Sequence, residues 1–257
     1  MSPRQVSHSS RVGHVMKVQH LVPGFIGMAT PANAVYLQVF ESAGSRILGS
    51  EGLPNRLRAI LMEIDFERLI EHVKAADWAA GERQIADAAI ALKGGGADFL
   101  VITSNTGATL DATARWETGL PVVEIVETTL AELTATGCRR PGLLSTVRTY
   151  ESGLYHRAAA RCGMEVVAAP HDRVRAIEKL IFEELIFGRV TDSALAAVMA
   201  AIDYFVSRDA DSIVLACTDL THLTPRLREM SPLRIFDSIT LHAEAAAAVA
   251  CGKLLLR

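Results

Sequence analysis

The sequence predicts an α/β fold of two similar halves, each a parallel sheet flanked by helices. Three observations carry this. Short apolar runs alternate with amphipathic stretches along most of the chain, the rhythm of βα units, and the rhythm runs through two series. Each series holds an apolar run that breaks off in small polar residues. One is 99–103, ending in Ser104-Asn105-Thr106, and the other is 213–216, ending in Cys217-Thr218-Asp219. Half of the residues are hydrophobic yet only 5% are aromatic, with alanine abundant, which suits helices packed closely on a sheet. In open α/β sheets ligands bind at the carboxyl ends of strands, beside the free N–H groups of helix N-termini. The two ends therefore predict one site between the halves, with Ser104 on one wall and Cys217 on the other.

The elements follow in order. Residues 1–19 read as a flexible leader, in which 12–18 has the pattern of an edge strand. The apolar stretch 21–28, interrupted by Pro23 and Gly24, leads into a helix with Thr30 as N-cap and Pro31 at its first position. This helix runs to about 43 and buries Val35, Leu37, Val39 and Phe40. A strand is expected over 57–64, followed by Asp65, a fair helix cap. An amphipathic helix over 78–93 buries Ile85, Ala88, Ala89 and Leu92 and is stopped by Gly94-Gly95-Gly96. Then come a strand at 98–103, a helix at 108–116 and a strand at 122–126. The second series gives helices at 127–136, 150–162, 173–187 and 193–208, with strands at 142–145, 165–169 and 212–216. A short strand at 233–236 and an alanine-rich helix at 241–255 close the chain. The expected division is 20–120 with 230–257 as a returning C-terminal segment, against 121–229.

Composition excludes several function classes. A formal charge of −3, with no block of like charges, gives no attraction to nucleic acid or anionic membrane. No apolar run reaches 18 residues and no signal-peptide core is visible, so a soluble, cytoplasmic protein is expected. The four cysteines show neither CxxC spacing nor a cluster with His, which predicts free thiols and no metal site. Walker A, GxGxxG and HExxH patterns are absent, and no lysine lies at a strand end to hold a pyridoxal group. A site without cofactor is the simplest reading.

Cys217 stands at a strand end beside Thr218 and near His222. A helix N-terminus there would lower the thiol pKa and make a base or nucleophile. The position equally suits a buried structural cysteine, the reading given to Cys138, Cys162 and Cys251. Ser104 is a poor base without a neighbour, and Ser-Asn-Thr is not a nucleophile elbow. Asn105, Thr106, Thr146 and Thr149 suit hydrogen bonding to a carboxylate, or capping, the latter above all for Thr149. His242 opens the last helix as a general acid, a carboxylate partner or a cap. His72, His156 and His171 read as surface residues. Arg115, Arg148 and Arg173 are candidates for a second substrate carboxylate that pattern does not place.

With these residues in view, the chain resembles the aspartate/glutamate racemase family of cofactor-independent racemases, from about 24 to 254. The carriers are Gly27-Met28 with Tyr36, Asp77-Trp78-Ala79-Ala80-Gly81, Gly96-Ala97-Asp98 and Ser104-Asn105-Thr106, the last in the place of Cys-Asn-Thr or Thr-Asn-Thr. Further on they are Leu144-Ser145-Thr146 with Thr149, Glu184-Leu185 with Gly188, Cys217-Thr218-Asp219, and Phe236-Asp237-Ser238 with His242. The resemblance implies pseudosymmetric, Rossmann-like halves with the substrate between them. Two facing groups, usually cysteines, would remove the α-proton from one face and return one to the other. Asn105, Thr106, Thr146 and Thr218 would hold the α-carboxylate, with Met28, Thr149 and His242 as further substrate contacts.

The departures are specific. Ser104 replaces the first cysteine, Gly107-Ala108 replaces the histidine that usually follows, and Asp219 stands where the family has Glu. Ala29-Thr30-Pro31-Ala32-Asn33 replaces most of the opening motif. Proton traffic from the Ser104 side should therefore be slow. The leading expectation is a racemase of an acidic or related amino acid, with Cys217 as main acid/base and Ser104 opposite. Two alternatives stand beside it. One is one-sided carboxylate chemistry of the arylmalonate decarboxylase kind, in which Cys217 protonates an enediolate. The other is a small-carboxylate-binding relative whose chemistry has lapsed. A homodimer is the default expectation for such an enzyme.

Overall fold

The computed structural model describes residues 20–49 and 57–255. The expected leader, with its 12–18 strand, lies outside the described residues. The first half contains β1 (Pro23–Gly27), α1 (Thr30–Leu48), β2 (Ile60–Glu63), α2 (Phe66–Lys74), α3 (Trp78–Gly94), β3 (Phe99–Ile102), a 3-10 turn (Gly107–Thr109), α4 (Ala112–Thr118) and β4 (Val122–Val123). Its strands run parallel in the order β2-β1-β3-β4. The second half contains α5 (Ile125–Ala135), β5 (Pro141–Leu144), α6 (Val147–Glu151), α7 (Leu154–Arg161) and α8 (His171–Glu183). It continues with a 3-10 turn (Leu185–Phe187), α9 (Asp192–Val206), β6 (Ser212–Leu215), a 3-10 turn (Thr218–Leu223), α10 (Thr224–Met230) and β7 (Arg234–Asp237). Its sheet is parallel in the order β5-β6-β7. The chain then enters α11 (Ser238–Ala250).

The registers position the site. Ile26 pairs with Ile102 and Leu144 with Leu215, so β1 and β3 end level with each other, as do β5 and β6. Met28 and Ser104 thus emerge together on one side, and Thr146 and Cys217 on the other. Close packing keeps the sheets fixed. In the second half a Cβ at Gly142 would lie 2.5 Å from the Phe205 ring, so α9 sits flush on β5 only because that residue is glycine. Phe25, Phe99, Ile85, Ile213 and Leu215 are fully buried, each contributing roughly 1.5–3 kcal/mol of apolar transfer energy.

The expected boundaries need correction. β4 pairs with β3, Leu100 against Val122, so the first half extends past 120. β7 pairs with β6, Ser212 against Arg234, and therefore belongs to the second sheet and not to the returning segment. α11 does cross back: its Ala243, Ala246, Ala247 and Ala250 share a core with Ala32, Tyr36, Phe40 and Ala43 of α1. Small residues on both helices let the axes approach.

Local chemistry explains other differences. α1 begins at Thr30 itself, so its N-cap is Ala29, which has no side-chain acceptor; Thr30 Oγ1 instead donates across to Glu63 at 3.4 Å. The 122–126 strand is cut to two residues by the start of α5 at Ile125. Gly153, at φ +65°, divides the 150–162 helix into α6 and α7. The 165–169 strand is reduced to one bridge, Gly142 to Val167. α2 was not expected as an element; Asp65 caps it by accepting from the Arg68 N–H at 3.0 Å. Among the described residues no helix is long and apolar enough to cross a membrane.

Candidate active site

The strand ends surround a small cavity of about 50 Å³ between the two sheets. By the roughly 10–15 Å³ that one water needs, this is room for a few waters. Met28 and Ala29 line it after β1, Ser104 to Gly107 after β3, Thr146 after β5 and Ala216 to Asp219 after β6. The remaining wall is Phe66, Leu69, Ile70 and Val73 of α2 with Ile181 and Phe182 of α8. A larger hollow of about 860 Å³ lies beside Phe40, Leu57 and Gly95 and carries none of the strand-end groups.

Cys217 occupies the extended N-cap position of the 3-10 turn after β6. Its Sγ donates to Asp219 Oδ2 at 3.8 Å. Two effects oppose each other at the sulfur. The backbone N–H groups of Asp219 and Leu220 favour a thiolate, whereas burial first, and then the Asp219 charge, disfavour it. Burial wins, and the thiol pKa lies well above its ordinary value of 9.0. This corrects the expectation of a lowered pKa: the turn supplies its N–H groups, but the site is too dry for them to prevail. Asp219 is itself pushed up to about 6, mainly by burial, with the thiol hydrogen bond pulling it partly back. Its Oδ1 is buried and has no hydrogen-bond partner among the described residues. An acid that donates and a carboxylate that accepts thus stand in contact at the cavity wall.

Ser104 is differently placed. Its Oγ accepts from the Gly107 N–H at 2.9 Å, and among the described residues no His, Asp or Glu hydrogen-bonds it. A Cβ at Gly107 would lie 2.8 Å from the Met28 methyl and 3.1 Å from the Ser104 Cβ. The histidine missing from this position would need space that Met28 now fills.

The polar lining links the halves. Thr106 Oγ1 lies 3.3 Å from Thr146 Oγ1 and 3.0 Å from Thr149 Oγ1, and Thr146 donates to Thr149 at 3.2 Å. Thr106, Thr146 and Thr218 face the cavity. Thr149 does not: it is buried behind Thr146, which caps α6 by accepting the Thr149 N–H. Asn105 reaches the wall, but its amide is engaged inward. Tyr155 OH donates to its Oδ1 at 2.7 Å, and its Nδ2 donates to Ser238 Oγ at 3.1 Å. Ser238 in turn donates to the Leu215 carbonyl at 2.7 Å. A hydrogen-bonded line therefore runs from α7 through the end of β3 to the end of β6.

His242 does not line the cavity. It is fully buried, with Nε2 2.8 Å from the Val123 carbonyl and Nδ1 2.9 Å from Tyr36 OH. The carbonyl requires a donor, so the proton sits on Nε2 and Nδ1 accepts from the tyrosine. Burial lowers its pKa to about 4. It ties α11 to α1 and β4, away from the cavity, because the alanine face of α11 turns inward there. Cations are also elsewhere. Arg115 pairs with Asp111 and Glu124, Arg173 lies on the Tyr204 ring and Arg148 on the Trp78 ring. Among the described residues no three His, Cys, Asp or Glu side chains are grouped to hold a metal.

Two features escaped the sequence reading. The sequence reading assigns Asp219 no chemical role, although Cys-x-Asp on a tight turn brings the carboxylate back over the thiol. The spacing of Phe66, Leu69, Ile70 and Val73, at i, i+3, i+4 and i+7, marks one face of a helix.

Comparison with known proteins agrees with the fold. The profile of the Asp/Glu/Hydantoin racemase family matches residues 26–246. The broad specificity amino-acid racemase RacX of Bacillus subtilis (strain 168) is 25% identical over 152 residues, 59% of this chain and 65% of that relative's length. A crystal structure from Yersinia pestis, provisionally assigned as an Asp/Glu racemase, matches with a TM-score of 0.79 at 27% identity. That match covers 90% of this chain and 99% of the other. An aspartate racemase homologue of Pyrococcus horikoshii OT3 shares the fold with a TM-score of 0.72 at 24% identity, over 89% and 98% of the two chains. The chain belongs to the Asp/Glu/Hydantoin racemase family.

Proposed function

We propose that the protein is a cofactor-independent amino-acid racemase in which Cys217, relayed by Asp219, is the main acid/base and Ser104 serves the opposite face. The observation that carries the reading is the convergence of Ser104 and Cys217 on one cavity, with a carboxylate against the thiol. The hydroxyls of Thr106, Thr146 and Thr218 receive the α-carboxylate, and the unpartnered Asp219 Oδ1 receives the ammonium group.

The raised thiol pKa defines the sequence of events. Cys217 rests protonated and cannot abstract a proton until it loses its own. Asp219 Oδ2 takes the Sγ proton; the thiolate then takes the α-proton, and the C–H electron pair moves into the substrate carboxylate as an enediolate. A bound ammonium group makes this easier, since a nearby positive charge favours the thiolate. Reprotonation from the Cys217 side restores the starting enantiomer, and reprotonation from the Ser104 side inverts it. Ser104 is suited to donating, because the Gly107 N–H bond to its Oγ favours the alkoxide form, but among the described residues no base hydrogen-bonds it to reload it quickly.

Solvent deuterium exchange tests the reading. In D₂O the enzyme should wash deuterium into the α-position of an amino acid, and Cys217→Ser should slow exchange by about 10³-fold or more, at the level of a lost general acid/base. The lone Ser104 hydroxyl also favours one-sided decarboxylation as a second reading. If amino acids stay unlabelled while a disubstituted malonate loses CO₂, that second reading replaces the first. If neither reacts and a small carboxylate only raises the melting temperature, the protein is a binding relative.

A further inference from the structure

The cavity has two chemically distinct sides. The strand ends supply hydroxyls and the Asp219 carboxylate. Facing them, α2 presents Phe66, Leu69, Ile70 and Val73, and α8 adds Ile181 and Phe182. Met28 extends this apolar surface, its methyl filling the space above Gly107. Among the described residues no Lys, Arg or His lines the cavity. None of the three arginines that could have answered a second carboxylate lines the cavity: Arg115 pairs with Asp111 and Glu124, and Arg173 and Arg148 lie on the Tyr204 and Trp78 rings.

Resting on the racemase reading above, we infer that the substrate is an α-amino acid with an apolar aliphatic or aromatic side chain, and not aspartate or glutamate. With the α-carboxylate on the threonines and the ammonium group on Asp219, the side chain is left to the wall of α2 and α8. A second carboxylate there would give up its water and find no donor. The Asp219 charge would repel it as well. An alkyl or aryl group instead gains apolar contact with those side chains. The resting cavity is too small for it, so the wall has to yield. α2 is suited to that, because Leu69 is its only fully buried residue.

The test is α-proton exchange in D₂O with leucine, methionine, phenylalanine, aspartate and glutamate, both enantiomers of each, on the wild-type enzyme. The best of the apolar three should exceed aspartate and glutamate in kcat/KM by at least roughly 100-fold, the scale on which an apolar pocket and an unpaired buried charge discriminate. A variant, Ile70→Lys, places an ammonium group in the half-buried part of the wall, with its stem along the apolar surface. It should move the glutamate-to-leucine ratio toward glutamate by about tenfold or more. If wild type exchanges aspartate or glutamate as fast as the apolar three, the inference is overturned while the racemase reading stands. The same holds if a folded Ile70→Lys leaves the ratio unmoved. If no amino acid exchanges, the racemase reading fails and this inference with it.

Discussion

After β3 the chain offers Ser104, whose Oγ accepts from the Gly107 N–H and, among the described residues, meets no base. After β6, at the corresponding place in the other sheet, it offers Cys217, whose Sγ contacts a carboxylate at 3.8 Å. Backbone geometry is shared to the extent that both residues follow a buried parallel strand and precede a 3-10 turn. Chemistry is not shared. The residue two positions later decides it: Thr106 on one side joins a ring of threonine hydroxyls, and Asp219 on the other folds back on the thiol. A pseudosymmetric fold fixes where two groups stand, and the turn residues settle whether each can exchange a proton.

The largest way to break this comparison is to remove the carboxylate. Asp219→Asn should lower kcat/KM by about 100-fold, the lower end of general acid/base contributions. Its effect on stability should have the opposite sign. Asp219 titrates at about 6 in the folded protein against 3.8 in the reference state, so the folded state binds the extra proton between those values. Stability from this group is present below about pH 4 and is lost as pH rises to 6. Above pH 6 the buried charge costs about 2–3 kcal/mol, which the amide removes. The variant should therefore melt higher than wild type at pH 8 and gain little at pH 4. A lower melting temperature at pH 8 would mean that Asp219 holds the fold together instead of straining it.

His242 gives the opposite pH signature, and the two can be separated. Its folded pKa of about 4 lies below the ordinary 6.5, so the unfolded chain binds more protons between those values. Its contribution is whole above pH 6.5 and is lost as pH falls to 4. Acid unfolding of the Asp219→Asn variant should then be steeper across pH 4–6.5 than that of wild type, because only the His242 effect remains. An unchanged slope would show that Asp219 is not shifted in the folded protein.

A smaller effect sharpens the comparison from the other side. Ser104→Cys should raise the racemisation rate by about tenfold, since a thiol is a better base than a hydroxyl yet still lacks a partner carboxylate. If the rate does not rise, the hydroxyl is not what limits inversion.

Much of the fold was legible because it rests on local patterns. The runs at 99–103 and 212–216, the helix ended by Gly94-Gly95-Gly96 and the stop at Gly163 all follow from composition and turn residues. Ser104, Thr106, Thr146, Cys217 and Thr218 were legible for the same reason: strand ends in a parallel sheet face one way. The illegible parts depend on distant partners. Whether Val122 and Arg234 joined the first or the second sheet required knowing their neighbours Leu100 and Ser212. His242 read as a site residue because its sequence position suits one, whereas Tyr36 and Val123 claim both of its nitrogens. The thiol pKa turned on burial, which no local motif reports.

The most direct test of the asymmetry compares deuterium uptake with loss of optical purity, in D₂O, starting from each enantiomer of one turned-over amino acid. The enantiomer whose α-hydrogen faces Cys217 should exchange several times faster than it racemises, since the thiol takes and returns the proton on one face. The other enantiomer should take up deuterium no faster than it inverts. Equal exchange from both enantiomers, each matching the racemisation rate, would contradict the account and make Ser104 the equal of Cys217.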